Sequence, residues 1–152
     1  MKTATYTINI NAAASKIFKI MLGLDNKKTY EAWTALFNPT STYEGSWDKG
    51  SKMMFIGTDE QGNKGGMIAE IAENIPNKFI SIKHYGILEN SQEILDGPKV
   101  ESWAGAFENY TFNEANGTTT ITVEVDTNEE YLDYFNDTWP MALNKLKELS
   151  ES

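Results

Sequence analysis

Residues 127–150, TNEEYLDYFNDTWPMALNKLKELS, decide the fold of this chain, because they have the pattern of one long amphipathic helix. Large apolar residues recur there at intervals of three and four positions, so they share one face of the helix. Such a face can cover the concave side of a curved β-sheet. The residues of this face are Leu132, Phe135, Trp139, Leu143 and Leu146.

Two further sequence features lie in this predicted helix, a capping box at its start and a proline near its middle. Thr127 and Glu130 match a capping box, in which each side chain accepts a hydrogen bond from a free backbone N–H group. Pro140 removes one backbone hydrogen bond inside the helix. It therefore predicts a kink, or a second helix start that is capped by Asp137 or Thr138.

Most of the chain before this helix alternates between polar and apolar residues, as half-buried β-strands do. After the first strand, two short apolar faces predict two short helices, one around Ile17 and one around Trp33. Asn116-Gly117 is the strongest hairpin signal in the sequence. Residues 86–99 lack a clean period, which predicts a long connection. The predicted strands cover residues 3–10, 40–47, 52–58, 67–75, 78–85, 100–112 and 121–125.

The composition limits the classes of function. The net charge of −9 argues against binding to nucleic acids and to anionic membranes, because no basic stripe is present to contact phosphates. With no cysteine and a single histidine, neither a disulfide framework nor a typical zinc site is expected. The sequence begins without a signal-like apolar segment and contains no membrane-spanning run, so we expect a soluble, cytoplasmic protein without membrane insertion, bound metal or cofactor.

The order of these elements predicts an α+β fold over one domain, residues 1–152. A curved antiparallel sheet of about seven strands wraps around the long C-terminal helix, and two short helices follow the first strand. Because the short helices hold one end of the sheet away from the long helix, we expect a cavity between the long helix and the sheet.

Short motifs run through nearly the whole chain in a characteristic order. They are Trp33-Thr34, Phe37-Asn38-Pro39, Gly45-Ser46-Trp47, Gly50-Ser51-Lys52, Phe55, Gly57, Gly66-Met67, Glu73-Asn74-Ile75-Pro76, Ile80-Ser81-Ile82, Trp103, Glu108-Asn109-Tyr110, Asn116-Gly117-Thr118-Thr119, Trp139-Pro140 and Leu143-Asn144-Lys145-Leu146-Lys147. In this order they resemble the SRPBCC superfamily, the START-like helix-grip proteins that include birch pollen allergen. Within it, the chain resembles the branch of homologues of the heat-shock-protein-90 ATPase activator. This resemblance implies a helix-grip fold and a cavity that holds a small apolar or amphipathic molecule.

The candidate site combines aromatic residues with a few polar ones. His84 shares strand parity with Ile80 and Ile82, and Glu108 shares it with Tyr110, so both side chains can point into the cavity. There they could anchor a ligand or act as general base and acid. Alternatively, His84 is a structural residue of the sheet, and Glu108 lies in water or pairs with a lysine. The predicted ligand-binding residues are Trp33, Phe37, Phe55, Met67, His84, Trp103, Glu108, Tyr110, Phe135 and Trp139.

Three functions are compatible with these features. Binding of a small hydrophobic ligand needs only the cavity. A small cyclase- or hydrolase-like enzyme would use His84, Glu108 and Tyr110, although we expect that the protein is not an enzyme. A chaperone-associated role needs an exposed apolar patch, which Tyr134, Met141 and Trp47 could form. A homodimer could form through an exposed edge strand.

Overall fold

One antiparallel sheet and one long helix dominate the computed structural model, which describes all residues from Met1 to Ser152. The strands are β1 (Lys2–Ile10), β2 (Thr42–Gly45), β3 (Lys52–Thr58), β4 (Lys64–Ile75), β5 (Phe79–Glu89), β6 (Gln92–Ile94), β7 (Phe107–Ala115) and β8 (Thr118–Thr127). The helices are α1 (Ala14–Leu22), α2 (Lys27–Thr34), α3 (Pro98–Glu101) and α4 (Leu132–Glu151). None of these helices combines the length and the apolar character that crossing a membrane requires.

The eight strands form a single sheet in the order β1-β8-β7-β5-β4-β3-β2, with β6 added beside β5. Strands β2 to β5 and then β7 and β8 follow one another as neighbours, whereas β1 pairs along its whole length with β8. A tight turn with positive φ angles at Asn116 and Gly117 connects β7 to β8, as the sequence predicted. The structure thus confirms the predicted α+β architecture.

The two short helices after β1 have clear local causes. The apolar face of α1 is buried through Ile17 and Met21, and the helix ends where Gly23 adopts a left-handed conformation. The side chain of Asn26 then accepts a hydrogen bond of 3.0 Å from the backbone N–H of Lys28, which caps α2. The two helices therefore lie between β1 and β2 along the chain.

The C-terminal helix begins later than the capping box predicted. Thr127 is the last residue of β8, where it pairs with Lys2, and a single 3-10 turn over Glu129–Tyr131 precedes α4. The long-range strand pairing therefore overrides the local capping signal. The predicted restart near Pro140 is also wrong, because α4 runs without interruption through this residue.

The predicted strand over residues 100–112 is wrong in its first half. Pro98 occupies the start of the short helix α3, a favourable place for proline because the first helical N–H needs no partner in the helix. Strand β7 begins only at Phe107. The connection predicted over 86–99 is more regular than expected, since β5 continues to Glu89 and forms a small hairpin with β6.

Candidate functional site

A cavity of about 710 Å³ lies between α4, α2 and the concave face of the sheet. The first turns of α4 do not fill this space. Leu132 and Phe135 are only partly buried there, and the first fully buried residue of the helix is Thr138. Beyond that point, Leu143 and Leu146 pack into the core. All ten residues that the sequence predicted for ligand binding line the cavity.

A hydrogen-bonded group of three polar side chains lies in the cavity wall. Nε2 of His84 is 3.1 Å from Oε1 of Glu108, and the hydroxyl of Tyr110 donates a hydrogen bond to Oε2 of the same carboxylate. The sheet register explains this arrangement, because Ile82 on β5 pairs with Glu108 on β7 and Ile80 pairs with Tyr110. His84 is therefore the diagonal neighbour of Glu108 on the same face of the sheet.

The surroundings of His84 favour the tautomer that carries its proton on Nε2. Its side chain is only 5% exposed, and Nδ1 is buried without a hydrogen-bond partner. A proton on Nδ1 would be a buried donor with nothing to bind, whereas a proton on Nε2 is donated to Glu108. The rings of Phe55 and Trp103 lie beside the imidazole, with centroids at 5.9 and 6.4 Å. The single histidine thus orients the carboxylate of Glu108 within an aromatic wall.

Two buried tyrosines share this environment. Burial raises the pKa of Tyr110 well above its ordinary value, and the charges of Glu108 and of an ionised Tyr30 raise it further. Burial and the charge of Glu108 raise the pKa of Tyr30 in the same way. Both hydroxyls therefore stay protonated over the physiological range of pH, and the hydroxyl of Tyr110 acts as a donor to Glu108.

These shifts predict a loss of stability in alkaline solution. An unfolded tyrosine ionises near pH 10, whereas the folded Tyr110 still holds its proton there, so the unfolded state is favoured as the pH rises beyond about 10. The free energy of unfolding should fall between about pH 9 and about pH 11, and it should fall less for Tyr110→Phe. Urea titrations at both pH values measure this difference. Tyr131→Phe, at a residue that is 52% exposed, is the control, and an equal effect of both substitutions would contradict the assignment.

The cavity also includes residues that the sequence interpretation missed. Tyr30 lies one helical turn before Trp33, on the face already predicted to be apolar, so helical spacing could have identified it. Lys99 lies in the short helix α3, and Asp126 lies at the end of β8; no periodicity in the sequence specifies the orientation of these side chains. Trp103 was predicted on a strand, but it reaches the cavity from the loop after α3, where its Nε1 donates to the carbonyl of Lys99 at 2.8 Å.

The apolar patch predicted from Tyr134, Met141 and Trp47 does not form. Trp47 is buried, and its Nε1 donates a hydrogen bond of 2.9 Å to the carbonyl of Leu22. Met141 is exposed as predicted. Tyr134 is also partly exposed, but it lines the cavity and donates to the carbonyl of Phe37. The prediction failed for Trp47 because β2 and the following loop fold against α1 and α2.

Comparison with known proteins gives structural neighbours only, since no protein-family model and no curated protein matches the sequence. The Aha1 dimer from Colwellia psychrerythraea shares 20% sequence identity, with a TM-score of 0.67 over 99% of this chain and 97% of that chain. Protein NE0264 from Nitrosomonas europaea shares 15% identity, with a TM-score of 0.70 over 97% and 92% of the two chains. CalU16 from Micromonospora echinospora shares 15% identity, with a TM-score of 0.65 over 97% of this chain and 65% of that chain.

These neighbours share the architecture that the resemblance of the sequence motifs implied. At such low identity the similarity concerns architecture, not activity. The chain therefore has the helix-grip fold, with its C-terminal helix held against a curved antiparallel sheet.

Proposed function

We propose that this chain, acting as a single domain over residues 1–152, binds a small hydrophobic or amphipathic molecule in the cavity between α4 and the sheet. The observation that carries this proposal is the cavity itself, whose volume of about 710 Å³ falls within the range of small-molecule sites. Most of its wall is aromatic or aliphatic, and two buried polar residues, His84 and Tyr110, converge on Glu108.

The arrangement suits a ligand with an apolar body and one polar end. Trp33 and Trp139 pack against one another at the floor, with ring centroids 5.8 Å apart, and present a rigid apolar surface. Glu108 lies on the sheet side with its carboxylate already oriented by His84 and Tyr110. A ligand would therefore gain affinity from contact with the rings and orientation from the carboxylate.

The first test uses N-phenylnaphthylamine, a neutral probe whose fluorescence rises in apolar surroundings. We expect saturable binding to the wild type and roughly tenfold weaker binding to Trp103→Ala, because an aromatic contact of about 1.4 kcal/mol is lost. Trp103 is partly exposed and lies outside the main core, so this variant should keep its fold.

The matched control is Phe107→Ala, a nearby aromatic residue that does not line the cavity. Its affinity for the probe should equal that of the wild type. If the wild type shows no saturable binding, or if both variants lose affinity equally, the cavity is not the binding site. Native mass spectrometry of the purified protein complements this test, because a stoichiometric co-purified molecule would identify a ligand class.

A second candidate function is catalysis, and the contact of 3.1 Å between His84 and Glu108 favours it. Because Nδ1 of His84 is buried and Nε2 contacts Glu108, the group that a substrate would reach is the carboxylate of Glu108, which His84 orients as the general acid or base that a cyclase- or hydrolase-like enzyme would use. The discriminating measurement follows the chemical fate of any co-purified molecule. Turnover by the wild type that His84→Ala abolishes would support catalysis, whereas binding without conversion would favour the binding function.

The dimeric state of one structural neighbour raises the same possibility for this chain. Strands β1 and β2 are the two edges of the sheet, and an edge strand can pair with a second copy. We propose a homodimer as the state to test, with light scattering at micromolar concentration as the measurement. A monomeric mass at every concentration would remove this part of the proposal.

A further inference from the structure

We propose that the cavity selects ligands that carry a positive charge, namely an alkyl- or arylammonium group held beside Glu108 and between aromatic rings. This inference rests on the proposed function, that the cavity binds a small molecule, and it specifies the chemistry of that molecule. Three features carry it: the charge of the lining, the free acceptor sites of Glu108 and the rings around this carboxylate.

The charged residues of the lining are predominantly acidic. Glu108, Asp126 and Glu130 contribute carboxylates, and Lys99 is the only lysine or arginine that lines the cavity. The ammonium group of Lys99 is bound to both carboxylate oxygens of Glu89, at 2.9 and 3.0 Å. An anionic ligand such as a fatty acid would therefore meet like charge and no free cation, whereas a cationic ligand would meet a complementary wall.

The carboxylate of Glu108 still has acceptor sites for a ligand. An ionised carboxylate has about four lone-pair positions, and the two contacts from His84 and Tyr110 occupy one on each oxygen. With its side chain 20% exposed, Glu108 is open towards the cavity. An ammonium group, which has only donors, can bind there by charge-assisted hydrogen bonds, whereas another carboxylate cannot.

The surroundings of this carboxylate suit a cation because they are aromatic. Phe55 and Trp103 flank His84 on one side of Glu108, and Trp33 approaches Tyr110 on the other with a centroid distance of 6.4 Å. The face of an aromatic ring attracts a cation, and it does so more strongly when water is excluded. An ammonium group at Glu108 would thus lie beside carboxylate oxygens and among aromatic rings.

The decisive experiment compares three naphthyl compounds of the same ring isomer by calorimetry at neutral pH. Naphthylethylamine is cationic under these conditions, naphthylethanol is neutral and naphthylacetic acid is anionic. We expect the wild type to bind the amine roughly tenfold to hundredfold more tightly than the alcohol, because a hydrogen bond to a charged group is added. The acid should bind least. An equal or greater affinity for the alcohol or the acid would overturn the inference.

Two variants test whether Glu108 is the source of the preference for the amine. Glu108→Gln keeps the size of the side chain and removes its charge, so the amine should lose its advantage over the alcohol while the affinity for the alcohol changes little. Glu101→Gln makes the same change in net charge on an exposed residue that does not line the cavity, and it should keep the preference for the amine. A preference that survives Glu108→Gln would contradict the role of this carboxylate.

The results of these experiments distinguish a failure of the charge selectivity from a failure of the proposed binding function. If none of the three compounds binds and the neutral fluorescent probe also fails, the binding function itself is wrong. If the alcohol binds as tightly as the amine, the binding function stands and the charge selectivity is wrong. The comparison within the wild type decides this point even if Glu108→Gln proves too unstable to measure.

Discussion

Trp33→Ala is expected to lower the free energy of unfolding by roughly 3–5 kcal/mol, the range for removing a large aromatic side chain from a packed core. Trp33 is only 1% exposed, and its Nε1 donates a hydrogen bond of 2.9 Å to the carbonyl of Met21. Its ring contacts the rings of Tyr30, Tyr110 and Trp139, which belong to α2, β7 and α4. The substitution would therefore loosen α2, the sheet and α4 at once, and urea denaturation would measure the loss.

Trp103→Ala provides the matched control for this prediction. Both tryptophans line the cavity and both donate Nε1 to a backbone carbonyl, but Trp103 lies in a loop and is only partly buried. We expect Trp103→Ala to cost less than about 1.5 kcal/mol. If the two substitutions were equally destabilising, the burial of Trp33 between α2, the sheet and α4 would not be the source of its larger effect. If both were harmless, the packing around Trp33 would be wrong.

Gly66→Ala should produce the second large effect, a loss of roughly 2–4 kcal/mol of stability. Gly66 lies in β4 opposite Ile56, and its φ of 145° is a conformation that side chains rarely adopt. A Cβ atom there would lie 1.9 Å from the carbonyl oxygen of Phe55, which is a backbone atom and cannot move away cheaply. Because Gly66 also lines the cavity, we expect the neutral fluorescent probe to bind more weakly as well.

Two other glycines of the β3–β4 hairpin are controls. They separate the steric clash of a Cβ atom at Gly66 from the strain of its positive φ angle. Gly62 has a φ of 81° but open space around the position of a Cβ atom, so Gly62→Ala should cost roughly 1 kcal/mol. Gly65 has neither a positive φ nor a close contact, and Gly65→Ala should lie within about 0.5 kcal/mol of the wild type. Urea titration of the three variants should give this order of stabilities. A Gly66→Ala variant as stable as Gly65→Ala would show that the backbone of β3 and β4 is arranged differently.

The sequence allowed most of the fold to be predicted because its periodic patterns are long and consistent. The parity of His84 with Ile80 and Ile82 placed this histidine on the inner face, where the structure has it. The parity of Glu108 with Tyr110 was equally informative, since no bulge interrupts β7 between them. Alternation along a strand is a strong signal when one face of the strand is buried.

The sequence-based predictions were wrong where contacts between residues far apart in the chain determine the local structure. Thr127 has the sequence context of a helix cap, but pairing with Lys2 keeps it in a strand. Residues around Trp103 contain strand-forming side chains, yet Pro98 starts a helix there and the loop folds over the cavity. Burial of Trp47 depends on α1, whose contact with the loop after β2 no local pattern reveals.

The pairing of β1 with β8 has a consequence for how this protein emerges during translation. Thr3 and Asp126, which are hydrogen-bonded to one another, are 123 positions apart in the chain. At roughly 5–20 residues per second, β1 leaves the ribosome on the order of ten seconds before its partner strand is synthesised. Its backbone groups stay unpaired in the meantime, and α4, which closes the cavity, follows later still. We therefore expect nascent chains to acquire the binding site only after α4 has emerged from the ribosome, and folding to be slow for the size of the protein.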